Sequence, residues 1–250
     1  MRNLAKHLPD SSGFDLKHVL VEPGKPVSLK KDFDPAYSGN FKDKEETLTE
    51  LRLNIEQLAG QQDILYANGT YALLLVLQAL DAAGKDSTIK HVMSGVNPQG
   101  CEVYSFKAPC QEELDHDYLW RAAKRLPRCG RIGIFNRSYY EEVLVVRVHP
   151  EILAKQHLPP CEKDQSIWKR RFEEINCFER YLVNNGIIVL KLFLNVSKKE
   201  QKVRFLKRIE EKEKNWKFSA ADVLERRHWA EYMAAYEDML THTSTDWAPW

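Results

Sequence analysis

A glycine followed by a lysine, Gly84-Lys85, stands where an apolar run, Tyr71-Ala-Leu-Leu-Leu-Val-Leu-Gln78, gives way to the small residues of Ala79-Leu-Asp-Ala-Ala-Gly-Lys-Asp-Ser-Thr88. A strand, a small-residue loop, Gly-Lys and then a helix form the setting that binds phosphate. Backbone N–H groups and the helix dipole face the anion, and the lysine reaches its outer oxygens. Ala82, Ala83, Gly84, Lys85 and Ser87 are the positions that would cradle it, with Lys90 adding charge nearby. The plain alternative is a strand-to-helix turn with a solvated lysine. The loop departs twice from the pattern G-x-x-x-x-G-K-[ST]: Ala79 replaces the first glycine and Asp86 replaces the Ser/Thr. A carboxylate beside a phosphate repels it unless a divalent cation lies between. Asp81 and Asp86, flanking Lys85, therefore imply a metal-bridged polyanion, although either could instead cap the helix.

Two other basic sites could serve the same anion. Arg137 closes the run Arg131-Ile-Gly-Ile-Phe135, and open α/β sheets present ligands beyond their strand carboxyl ends. It can clamp a phosphate bidentately or simply pair with Glu141. Between Lys198 and Lys217 lie nine basic residues against four acidic ones. Val203, Leu206 and Ile209 read there as the buried stripe of a helix, leaving Arg204 and Arg208 one turn apart on another face. Like charges at that spacing cost a lone helix a few tenths of a kcal/mol, roughly. An anionic ligand between them would offset that cost.

The elements that must position these groups follow from periodicity. The spacing of Leu48, Leu51, Ile55, Leu58 and Leu65 predicts a helix that Asn68-Gly69 stops. Strands are predicted at 71–78, 102–106, 131–135 and 187–194, the first apolar enough to be buried on both faces. Helices are predicted over 84–94, 111–125, 138–146, 164–184, 198–213 and 220–241. Strands alternating with helices of this length mean an α/β sandwich with a parallel sheet. Residues 1–42, rich in Pro, Gly, Lys and Asp, read as an arm on a single domain over 43–250.

Composition excludes classes without naming one. Lys+Arg 37 against Asp+Glu 36 gives a net charge of +1, too balanced for a general nucleic-acid coat or a basic membrane-surface protein. The longest apolar run, Ala72 to Leu77, cannot span a bilayer. Five cysteines with no CxxC pair argue against a zinc site or disulfide framework, so a reducing cytoplasmic setting is expected.

The runs Leu80-Asp-Ala-Ala-Gly-Lys-Asp86, Ser94-Gly-Val-Asn-Pro-Gln-Gly100 and Phe135-Asn-Arg-Ser-Tyr-Tyr-Glu-Glu142 resemble the polyphosphate kinase 2 family. Lys214-Asn-Trp-Lys-Phe218, Thr243-Ser-Thr245 and Ala248-Pro-Trp250 look like that family too, and the likeness covers essentially all of 43–250. It implies a P-loop kinase fold like that of thymidylate kinase, a three-layer α/β/α sandwich with a helical lid. It also implies transfer of phosphoryl groups between inorganic polyphosphate and adenine or guanine nucleotides, with Mg²⁺ or Mn²⁺, in a homo-oligomer (dimer or tetramer). Asn136, where much of the family has an aspartate, is similar to the branch called class III, which phosphorylates nucleoside mono- and diphosphates. Relatives continue through another strand and helix, so the resemblance makes Trp250 an early end.

On this reading polyphosphate lies along Lys85, Arg137, Arg204 and Arg208, with Mg²⁺ on Asp81 and Asp86. The acceptor nucleotide lies near Asn136, Arg137, Glu141 and Glu142, with Arg147 lining the same channel. A lid is expected over about 212–228, carrying Lys214, Lys217, Arg226 and Arg227, because phosphoryl transfer must exclude water. Two rivals remain: an ATP-dependent nucleoside monophosphate kinase, and a non-catalytic polyphosphate- or nucleotide-binding protein.

Overall fold

Four parallel strands, β1 (Ala72–Gln78), β2 (Cys101–Ser105), β3 (Ile132–Asn136) and β4 (Ile187–Phe193), make one sheet in the order β2-β3-β1-β4. The computed structural model describes residues 15–159, 166–217 and 219–250, apart from the side chains of Lys214, Lys217 and Ala220. β1 is central, with Leu73 opposite both Ile132 and Ile188. Its alternate residues serve two cores, which is why the run is apolar throughout. Leu74 and Val76 join Phe135 and Val189 on one face, while Leu77, Ile132 and Ile134 pack with Leu73 and Leu75 on the other.

The principal helices are α1 (Lys44–Asn68), α2 (Lys85–Val92), α3 (Ile167–Asn184), α4 (Lys198–Glu210), α5 (Ala220–Glu225) and α6 (Trp229–Thr243). Leu65 of α1 and Ile89 of α2 cover one face of the sheet. Ile175 and Leu182 of α3 and Met239 and Leu240 of α6 cover the other, completing three layers. Asp43 caps α1 by accepting from the Glu46 N–H at 2.9 Å, and Gly69, at φ 63°, ends it.

Three predicted helices are broken. Over 111–125 only Gln111–Leu114 and Trp120–Ala123 are helical, because Asp117 accepts from the Leu119 N–H at 2.9 Å and restarts the chain. Residues 138–146 begin as a 3₁₀ turn, Tyr139–Val143, that Ser138 caps through the Tyr140 N–H. The predicted 220–241 helix splits at the 3₁₀ turn Arg226–His228 between α5 and α6.

The described part of the arm is tied to the far end of the chain. The Val21 N–H donates to the Trp250 carbonyl at 2.9 Å, and Ser244 Oγ donates to the Val21 carbonyl at 2.6 Å. The Leu29 N–H donates to Glu237 at 2.7 Å, and Asn195 donates to the Phe33 carbonyl at 3.1 Å. Residues 1–14 lie outside the described residues. No described helix is long and apolar enough to cross a membrane.

Candidate active site

The loop after β1 is held by its carbonyls. Lys85 Nζ donates to Ala79 O at 2.7 Å and Leu80 O at 3.2 Å. Gln201 Nε2 donates to Asp81 O at 2.8 Å, and Arg204 Nη1 donates to Ala83 O at 2.6 Å and Ala82 O at 3.5 Å. In a trans peptide the N–H lies opposite the C=O, so each clamped carbonyl turns the following N–H away from its donor. The loop thus keeps its shape without the usual first glycine, and its N–H groups lie ahead of the α2 N-terminus. Ala82 takes a left-handed φ of 61°, a conformation that costs roughly 1 kcal/mol or more outside glycine. Gly84, at φ 104°, has no such cost, and a Cβ there would sit 3.1 Å from Arg204 Nη1.

Lys85 is only 8% exposed. Burial, then the nearby Arg137 charge, lowers its pKa from 10.5 to about 8, against the opposing pull of Asp81, Glu141 and Asp86. Arg137 also stands in the left-handed region, at φ 64°, with its N–H on the Leu77 carbonyl at 3.0 Å. This bend brings its guanidinium to the Asp81 carboxylate and to Glu141 Oε2 at 3.3 Å. Burial opposes the Arg137 charge, but Glu141 and Asp81 outweigh it and keep the group protonated. Across the floor Asn136 Nδ2 donates to Asp86 Oδ1 at 2.8 Å.

Asp81 and Asp86 are the two carboxylates beside the loop. No cluster of three or more His, Cys, Asp or Glu with metal-binding geometry exists among the described residues. Two carboxylates suit Mg²⁺, which keeps several waters and takes its other ligands from substrate phosphates. By donor chemistry the pair would suit such an ion, which would share Asp81 with Arg137 and Asp86 with Asn136.

The structure corrects the reading of α4. Val203, Leu206 and Ile209, expected as its buried stripe, are 39%, 45% and 51% exposed, while Gln201 and Phe205 are buried. The loop carbonyls need donors, and the α4 face that carries Gln201 and Arg204 supplies them, so the apolar stripe turns outward. Arg204 also pairs with Glu200 at 2.8 Å, and Arg208 with Asp222 at 3.3 Å. Their mutual repulsion is met by acids of the chain itself, and both still line the main cleft.

That cleft, of about 1780 Å³, opens along the strand carboxyl ends. It gathers Asp81, Ala82, Ala83, Gly84, Lys85, Asp86, Ser87, Asn136, Arg137, Arg204 and Arg208, together with Phe33 and Tyr37 of the arm. Glu141 and Arg226 lie around a smaller pocket beneath Arg137, with Asp222 and Glu225. Three residues expected to bind substrate are brought to neither pocket. Lys90 is exposed on the last turn of α2. Arg147 pairs with Asp238 and lies over the Trp168 ring at 6.0 Å. Glu142 is buried between Gln156, at 2.9 and 3.0 Å, and Arg171, at 3.4 Å, and burial raises its pKa. Adjacent residues in a 3₁₀ turn point to different sides, so the acidic pair splits between two environments. Of the expected lid residues, Arg226 reaches Gln201 and Arg227 is exposed. The side chains of Lys214 and Lys217 lie outside the described residues.

Two groups escaped the sequence reading. One is Gln201. The other lies behind the Ser138 turn, where the fully buried Lys191 Nζ donates to Glu179 Oε2 at 2.7 Å, Tyr140 Oη at 2.9 Å and Thr243 O at 2.6 Å. Tyr139 and Tyr140 both donate to Glu179 Oε1, at 2.8 and 2.7 Å. One charged residue inside the apolar run 187–194 was the only signal. The network joins β4, α3, α6 and the turn that carries Arg137.

An ADP-polyphosphate phosphotransferase of Rhodopseudomonas palustris is 51% identical over 94% of this chain and 81% of its own length. An AMP/ADP-polyphosphate phosphotransferase of Meiothermus ruber is 44% identical over 94% of this chain and 84% of its own. The crystal structure of polyphosphate kinase 2 from Arthrobacter aurescens TC1 superposes with a TM-score of 0.82 at 39% identity, covering 92% of this chain and 79% of that one. The family model for polyphosphate kinase 2 matches residues 41–250, and with the carbonyl-clamped Gly-Lys loop at its centre the chain belongs to the polyphosphate kinase 2 family.

Proposed function

We propose that the protein transfers a phosphoryl group from inorganic polyphosphate to a nucleoside mono- or diphosphate, AMP or ADP in the first instance. The observation that carries this is the convergence of Lys85, Arg137 and Arg204 on one loop whose carbonyls are all held by donors. The names of the relatives supply the substrate class. Lys85 and the loop N–H groups bind the end phosphates of the donor, and Arg204 and Arg208 continue the cationic lining. Arg137, set between Asp81 and Glu141, meets the phosphate of the acceptor. The terminal acceptor oxygen attacks the end phosphoryl in line, with no covalent enzyme intermediate. Catalysis is then positioning and charge neutralisation.

A divalent cation on Asp81 and Asp86, Mg²⁺ or Mn²⁺, would supply charge neutralisation for the polyanion. Segment 212–228 acts as the lid that excludes water. A homo-oligomer in the cytoplasm completes the reading. The test is the purified protein with AMP or ADP, Mg²⁺ and polyphosphate, and no ATP. Formation of ADP or ATP is the expected result. Transfer that requires ATP as donor favours an ordinary nucleoside monophosphate kinase, and binding without transfer favours a non-catalytic protein.

A further inference from the structure

Gln201 is 3% exposed, and its amide is used at both ends. Nε2 donates to the Asp81 carbonyl at 2.8 Å, and Oε1 accepts from Arg226, which also donates to the Lys198 carbonyl at 3.3 Å. Only one amide orientation serves both partners, since the flipped group would set carbonyl against carbonyl and NH₂ against guanidinium. Asp81 is thereby fixed twice, its carbonyl by Gln201 and its carboxylate by Arg137. Arg226 belongs to the 3₁₀ turn between α5 and α6, within the segment read above as a lid.

We infer that Gln201 is a positioning residue through which docking of the 220–228 segment sets the anion-binding shape of loop 79–84. The inference rests on the phosphate-loop reading above. The chemistry selects an amide here. An apolar side chain would leave the Asp81 carbonyl without this donor. Glutamate would satisfy Arg226 but oppose the carbonyl, and lysine would satisfy the carbonyl but oppose Arg226. With Arg226 away, the Gln201 amide is free to rotate, the Asp81 peptide loosens, and with it the pairing of Asp81 to Arg137. The link is one contiguous chain of hydrogen bonds, Arg226 to Gln201 to Asp81 to Arg137.

The test is a double-mutant cycle on the full chain with Gln201→Met and Arg226→Met, read by steady-state kinetics and by calorimetric titration with inorganic tripolyphosphate. Each single variant is expected to raise the KM for polyphosphate about tenfold, the worth of one hydrogen bond shielded from solvent. The double variant should be no worse than Gln201→Met alone, because both act through one link. Multiplying effects, or an unchanged polyphosphate KM in Gln201→Met, would overturn the inference. If Gln201→Met fails to fold, Gln201→Glu keeps the Arg226 contact and removes the donor. Weaker tripolyphosphate binding by that variant supports the link, and unchanged binding refutes it. The titration needs no turnover, so an inactive wild type would end the kinase reading and still leave the link open to test.

Discussion

Asn136 and Asp86 meet across the floor of the cleft, the amide Nδ2 donating to the carboxylate Oδ1 at 2.8 Å. The contact joins the end of β3 to the first turn of α2. It gives Asp86 a neutral partner where a second acid would need a cation between the two. Asn136→Asp is therefore expected to lower the metal-free melting point by about 2–4 °C, and Mg²⁺ should restore it. Melting curves with and without Mg²⁺ decide. A variant that melts like wild type in both would overturn this account of the Asn136–Asp86 contact.

Lys85 sets an alkaline limit. Its pKa of about 8 means that the cation is present below that pH and lost as the pH rises through it. On the alkaline side kcat/KM for polyphosphate should fall about tenfold per pH unit. Bound polyanion raises the pKa, so the limb in kcat should lie higher. Stability moves the other way. Between about 8 and 10.5 the unfolded chain binds more protons at this site, so the fold gains stability with rising pH. Lys85→Met should abolish turnover and remove that gain. It also leaves the Ala79 and Leu80 carbonyls without their ammonium donor, at a cost of roughly 1–3 kcal/mol in chemical denaturation.

Glu141 and Glu142 should behave differently. Glu141 touches Arg137 at 3.3 Å, whereas Glu142 is sealed against Gln156 and Arg171. Glu141→Gln is expected to change the ratio of AMP to ADP use by several-fold. Glu142→Gln should leave that ratio within about twofold while lowering the melting point, because the buried Arg171 loses one of its two anions and keeps only Glu174, at 3.0 Å. Competition assays with both acceptors measure the ratio directly.

The Lys191–Glu179 pair is fully buried, and breaking one side strands the other. Lys191→Met should destabilise the fold by about 3–5 kcal/mol in denaturant melts. Replacing both, Lys191→Met with Glu179→Gln, should recover part of that loss. Burial lowers the Lys191 pKa, and Glu179 beside it opposes that shift.

By itself the sequence determined the layers and the loop. A central strand buried on both faces must be apolar at every position, and a phosphate loop must be small and end in Gly-Lys; both demands are local and written in consecutive residues. Tertiary structure decided which side chains those elements share. The apolar triad Val203, Leu206 and Ile209 marked α4 correctly as a helix and misjudged its face, because the deciding partners are carbonyls 120 residues earlier, as in the Gln201 contact to Asp81. Glu141 and Glu142 are neighbours in the chain and separate in space because a 3₁₀ turn sends them apart. Gly84-Lys85 is legible in the sequence as the turn from a strand into a helix. That its lysine, a glutamine and an arginine together hold the loop open depends on where α4 lands, and no spacing in the chain encodes that.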